Sequence, residues 1–191
     1  MKEIRIAEIR AAEPTADGAK ALILSGRAIL YDTPTLIIDG SGSYTEIISR
    51  GALDGADLSD VRLLYNHDLS KVPLARTPKT MALRVDAQGL TVEAELPDTA
   101  TAKEVYAAVQ RGDLSGMSFA FTVPEGGDSY DAATNTRTIR KIAKVYECSV
   151  VPYPAYPTTS IEARSARAAA LTRLDQRRRA KILYNQIMKV R

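Results

Sequence analysis

The apolar residues of this chain come in short runs cut by Gly, Asp and Pro, and only one segment has a helical period with signals at both ends. Strands alternate at period two and helices at 3.6, so this pattern points to a sheet-rich fold. Ile4 and Ile6 start an alternating run that extends towards Ile9. Residues 21–31 read as a buried strand bent near Gly26, and residues 44–48 and 61–65 as short strands. Residues 81–85 and 90–96 flank the turn Asp86-Ala87-Gln88-Gly89. Leu90, Val92, Ala94 and Leu96 share one face there, while Thr91, Glu93 and Glu95 take the other. Residues 117–123, 138–144 and 145–151 complete the strands. Residues 14–18 read as a turn, 39–43 as a flexible loop, 50–58 as a short helix and 124–136 as a polar excursion. The clearest helix follows Pro97. Thr101 and Glu104 have capping-box spacing, Val105, Ala108 and Val109 form an apolar stripe, and Arg111-Gly112 supplies a stop. Many short strands around one helix predict a mainly β fold with α (α+β), a barrel or a curled mixed sheet.

With 191 residues and 45% hydrophobic composition, the chain can bury a substantial core. One domain over residues 1–160 plus an appendage over 161–191 fits that length. The appendage carries nine Arg and Lys against Glu162 and Asp175, on a chain whose net charge is only +3, so the remainder is acidic. Any charge-driven partner therefore belongs to the tail, which Ala, Arg, Leu and Gln predict to be helical. Its Arg177-Arg178-Arg179 cluster has no zinc finger, phosphate loop or RNA-reading aromatics beside it, so nucleic acid is expected at most as a weak partner through the tail. No apolar run reaches membrane-spanning length, and residues 1–8 lack a signal-peptide core. Cys148 is the single cysteine and can make no internal disulfide, which points to a reducing cytoplasm. One His and one Cys argue against a structural zinc site, and neither a metal nor a cofactor is expected.

Chemistry through imidazole near neutral pH can come only from His67, the one histidine, which follows a strand end in Leu63-Leu64-Tyr65-Asn66-His67-Asp68. Ser118 lies in a strand where parity puts it with Ala120, opposite the chain's two phenylalanines, Phe119 and Phe121. The rings can anchor the strand while the hydroxyl faces a cleft, and a nucleophilic serine needs a neighbouring base. Each residue has a plainer role too: Ser118 as a small sheet residue, His67 as a surface-loop side chain. Glu147 is a carboxylate inside an apolar strand and should have a partner. That partner is either His67, whose tautomer it would hold, or one of Arg140, Lys141 and Lys144, unless it lies exposed on an edge. Cys148 is a rival nucleophile by type, but parity sets it beside Tyr146 and Val150 on the apolar face, where an inert core thiol is expected. Ser149 shares the face of Glu147.

These blocks, in their order and spacing, resemble the prohead maturation proteases of tailed bacteriophages from about residue 4 to residue 160. The resemblance is carried by Ser25-Gly26-Arg27-Ala28, Tyr44-Thr45-Glu46-Ile47-Ile48, the His67 block and Leu74-Ala75-Arg76-Thr77. It continues through Gly116-Met117-Ser118-Phe119-Ala120-Phe121, Tyr146-Glu147-Cys148-Ser149 and Pro154-Ala155-Tyr156-Pro157. The resemblance implies a closed or partly open barrel like that of the related herpesvirus assembly proteases, with a central helix. It also implies a serine endopeptidase with Ser118 as nucleophile and His67 as base, packaged in the prohead within the bacterial host cytoplasm. Its implied partners are the major capsid protein with its scaffold segment, and the chain itself as substrate, with self-association left open and the tail as a targeting or autocleaved segment. The herpesvirus enzymes use a second histidine, which this chain lacks, so the third role is assigned to Glu147. A non-catalytic capsid-assembly or scaffold-binding module is the alternative.

Overall fold

A computed structural model of the chain describes residues 2–11, 21–39 and 42–152. The basic tail, residues 161–191, and the turn expected at 14–18 lie outside the described residues. Twelve strands and one helix are present among those described. The first four strands are β1 (Lys2–Ala11), β2 (Leu22–Leu30), β3 (Thr35–Asp39) and β4 (Gly42–Ile48). Next come β5 (Arg62–Tyr65), β6 (Ala75–Arg76), β7 (Met81–Asp86), β8 (Gly89–Leu96) and the helix α1 (Ala100–Arg111). The last four are β9 (Gly116–Thr122), β10 (Asp128–Asp131), β11 (Thr136–Ile139) and β12 (Lys144–Val151). The fold is mixed α and β.

An eight-stranded sheet runs β6-β5-β12-β9-β1-β2-β8-β7, and a four-stranded sheet runs β10-β11-β4-β3. The large sheet cannot be flat. Its edge strands β6 and β7 would stand roughly 34 Å apart at ordinary strand spacing. Yet Arg76 and Met81 are consecutive strand ends joined by residues 77–80, a reach of about 18 Å at most. The fold-over sits at β1, where Lys2–Glu8 pairs with β9 and Ile9–Ala11 pairs with β2. The Glu95 N–H donates to the Thr80 carbonyl at 2.9 Å, tying β8 to the link between the edges. No ladder joins β6 to β7 among the described residues, so the sheet is curled but not closed into a barrel.

The core fills this curl. Leu24, Ile29, Leu63, Leu90, Val92, Met117, Phe119 and Phe121 come from the large sheet, with Ala102, Val105, Tyr106 and Val109 from α1 and Ile48 and Ile139 from the small sheet. Phe119 and Phe121 stack with centroids 5.2 Å apart. The helix ends as expected: Gly112 has φ 84°, and the N–H of Asp113 reaches back to the Ala108 carbonyl at 2.9 Å. Its start differs. Thr99, extended at φ −121° and ψ 156°, is the N-cap and accepts the Ala102 N–H at 3.3 Å. Thr101 is already inside the first turn.

Residues 50–58 form successive turns instead of a helix. Ala52, Asp54 and Ala56 donate to carbonyls three residues back, and Gly51 and Gly55 take positive φ of 83° and 76° that a right-handed helix cannot accommodate. Of the flexible loop expected at 39–43, Asp39 and Gly42 instead pair as the facing ends of β3 and β4, while residues 40–41 lie outside the described residues. The polar excursion contains β10, hydrogen-bonded to β11 as a hairpin.

Candidate active site

Strand β5 delivers His67 through a turn in which both central residues, Asn66 and His67, have positive φ, 52° and 58°. The Asp68 N–H closes the turn on the Tyr65 carbonyl at 3.1 Å, and the Asn66 N–H fastens it to the Val150 carbonyl of β12 at 2.9 Å. Asn and His are among the few residues that tolerate left-handed backbone, and such outliers gather where a side chain must be aimed. Asp68 does not orient the imidazole. Its carboxylate accepts the N–H and hydroxyl of Ser70 at 2.9 and 2.6 Å, bonds that hold its pKa below the usual range.

A bulge in β12 decides which way Glu147 points. Val145 pairs with Phe121 but Glu147 pairs with Ala120, so Tyr146 is the extra residue and the parity of the strand changes there. Val145, Cys148 and Val150 therefore enter the core, while Glu147 and Ser149 share the opposite face with Ser118 and Ala120. The parity expected for Tyr146 fails for this reason: its ring stays half-buried with the Lys144 ammonium 5.6 Å from its centroid. Lys144 itself is held by Asp57 at 2.7 Å, which removes it as a partner for Glu147.

The partner of Glu147 is His67. Nδ1 of the imidazole lies 2.7 Å from Oε1 of the carboxylate, whose side chain is only 3% exposed. An ionised carboxylate can only accept, so with Glu147 in that form a neutral His67 ring carries its proton on Nδ1 and has Nε2 as the basic nitrogen. The second oxygen, Oε2, accepts the hydroxyl of Ser149. Ser149 stands directly opposite Ser118 in the β12–β9 register, and Ser118 in turn faces Ile6 of β1 in register. Ser118 is completely buried, and its hydroxyl has no hydrogen-bond partner, so it is not bonded to His67.

These residues thus bring an imidazole–carboxylate pair and an uncommitted hydroxyl to adjoining strands, the residue types from which a serine nucleophile and its base can be built. Cys148 offers no rival. Burial, reinforced by the nearby Glu147 charge, pushes its thiol pKa far up and keeps it protonated. Among the described residues, no group of three or more His, Cys, Asp or Glu side chains is placed to hold a metal ion. No helix among them is long and apolar enough to cross a membrane. Sequence parity found the shared face of Glu147 and Ser149 but not the bond between them. The left-handed turn at His67 had one local signal, the preceding Asn66.

Comparison with known proteins bears on the same residues. The chain matches the family described as caudovirus prohead serine protease over residues 7–173. It is 28% identical over 142 residues to the prohead protease of Enterobacteria phage HK97, covering 72% of this chain and 61% of that protein. The matched part thus spans less than two-thirds of that relative. The bacteriophage T4 capsid assembly protease aligns over 80% of this chain and 99% of that one, with a TM-score of 0.48 and 10% identity. Since the family match takes in most of the chain, including His67, Ser118 and Glu147, this chain belongs to the caudovirus prohead serine protease family.

Proposed function

We propose that the chain is a serine endopeptidase of prohead maturation, with Ser118 as nucleophile, His67 as general base and Glu147 as the group that orients and charges the imidazole. The observation that carries this reading is the 2.7 Å contact between His67 Nδ1 and a buried Glu147 carboxylate on the strand beside Ser118. The left-handed turn that aims His67 supports it. In the reaction, His67 Nε2 takes the Ser118 proton as Oγ attacks a peptide carbonyl, then passes it to the leaving amine. Water enters and the same base activates it, releasing the acyl group. The missing Ser118–His67 hydrogen bond fits a resting enzyme, since such bonds often form only once substrate is bound.

The substrates in this reading are the scaffold segment of the major capsid protein and the chain itself, acted on inside the prohead in the host cytoplasm. Residues 1–160 act as the catalytic unit and the basic tail, 161–191, as a targeting or autocleaved segment. Coexpression with the cognate capsid protein, followed by mass mapping of the products, tests it. Wild type should yield defined capsid-protein and self-cleavage fragments. Ser118→Ala and His67→Ala should each lower that cleavage by roughly 10⁶-fold. Cleavage by purified, folded Ser118→Ala protein would reject the assignment. One observation favours a second reading, a non-catalytic assembly module: Ser118 is fully buried. A serine-directed fluorophosphonate separates the two, because a protease is labelled at Ser118 and an assembly module is not.

A further inference from the structure

We infer that Ser149 is a positioning residue that acts on His67 through Glu147. The inference deepens the proposed function and rests on His67 serving there as the base. A carboxylate that bonds the imidazole through one oxygen can still rotate about its last torsion, because sp³–sp² terminal torsions are broad. Such rotation would exchange the two oxygens and break the 2.7 Å contact. Ser149 opposes it by donating its hydroxyl proton to Oε2, so both oxygens have fixed partners on different elements, the β5 turn and β12 itself. The two residues are spaced i and i+2 on one strand, and Ser149 is fully buried, so bulk solvent does not compete for that proton.

The direction of the bond matters as much as its presence. Ser149 lies across the ladder from Ser118, where opposing side chains stand roughly 4.5–5.5 Å apart at Cβ. A hydroxyl there could have bonded Ser118 and competed with His67 for it. It bonds Glu147 instead, and Ser118 keeps no partner. Ser149 thus fixes the carboxylate without engaging the nucleophile. The consequence reaches Nε2: in the neutral ring, while Oε1 holds the Nδ1 proton, Nε2 carries none and is the basic nitrogen.

Because the chain has one histidine, ring ¹⁵N spectra report His67 alone. The experiment uses the full chain carrying Ser118→Ala, which leaves the protein uncleaved and the Glu147 contacts intact. In that background the neutral ring should be almost entirely the Nδ1–H tautomer. Ser149→Ala should shift the population towards Nε2–H, the form a free imidazole prefers in water. Ser149→Cys keeps a similar volume but donates weakly, and should shift it in the same sense if the alanine variant does not fold. With Ser118 restored, either Ser149 variant should slow self-cleavage about tenfold, the worth of one net hydrogen bond to a charged group. A folded Ser149→Ala or Ser149→Cys chain that keeps the parent tautomer ratio overturns the inference. A ratio that shifts in a chain whose wild type cleaves nothing would leave the positioning role standing and reject the protease instead.

Discussion

Glu147, Cys148 and Ser149 are consecutive, yet they have three different chemistries, because a strand sends neighbours to opposite faces and the bulge at Tyr146 fixes which face is which. Glu147 and Ser149 form a hydrogen-bonded chain with His67, whereas Cys148 is fully buried among Leu63, Phe119 and Val150 on the other side. Burial raises the Cys148 pKa, so the thiolate that would attack an alkylating agent is absent at neutral pH. Native protein should therefore resist iodoacetamide at pH 8 and label only when unfolded in guanidinium. Cys148→Ala should still cleave itself at the wild-type rate. Rapid labelling of the folded chain, or loss of cleavage in that variant, would make the thiol a participant. At this scale the sequence was informative about side-chain type and, from Glu147 to Ser149, about face, but strict parity put Tyr146 on the wrong side because the bulge depends on the pairing with β9. It did not show the left-handed φ at His67, which requires β12 to capture the Asn66 N–H across the ladder.

Two glycines that look alike in sequence do different work in their elements. Both sit at a segment boundary with positive φ: Gly112 at 84° after α1 and Gly89 at 142° at the start of β8. A Cβ on Gly112 would meet nothing within 4 Å, whereas on Gly89 it would stand 1.9 Å from the Ile29 carbonyl oxygen of β2. The β7–β8 turn has little freedom to move away. Asp86 accepts the N–H groups of Gln88 and Gly89, and Arg27 of β2 grips the same carboxylate at 2.6 and 2.9 Å, holding its pKa down at about 2. Gly112→Ala should thus lose about 1 kcal/mol from left-handed strain alone, while Gly89→Ala should lose about 3 kcal/mol from forced overpacking of β8 on β2. Urea titration of both variants checks the ranking, and equal losses would contradict it. Both turns were legible because their chemistry is local. The helix start was misplaced by two residues because Thr99 and Thr101 are equally good caps, and only the extended backbone at Thr99 chooses between them. The expected helix at 50–58 failed on Gly51 and Gly55, whose positive φ no periodicity count weighs. Strands β3 and β10 were missed because they are short and their pairing partners supply what their own sequences lack.

For the whole molecule, strand order is set by contacts that the sequence does not index. Nothing local says that β1 hands over from β9 to β2, or that β6 and β7 become opposite edges of one curled sheet. The small sheet shows the same dependence at its centre. Arg137 of β11 is fully buried and faces Glu46 of β4 in register, 91 residues away. Its Nη1 is 2.9 Å from Glu46 Oε2, and its Nε and Nη2 are 2.7 and 2.6 Å from Asp128 Oδ2 of β10. One guanidinium thus pins three of the four strands through a planar fork that lysine could not reproduce. Breaking such a group is costly because the carboxylates stay buried after their counter-charge has gone. Arg137→Met should lower stability by about 3–5 kcal/mol, measured by urea unfolding, and Arg137→Lys should recover only part of it. Replacing Glu46, Asp128 and Arg137 together by apolar residues of similar volume should recover most of the loss, since a packed apolar cluster often matches a buried ion group. A loss below about 1 kcal/mol for Arg137→Met would mean that the two carboxylates find water or other partners once the arginine is gone. The His67–Glu147 contact lies on the large sheet, so a folded Arg137→Met chain should keep the wild-type His67 tautomer ratio even as its unfolding midpoint falls.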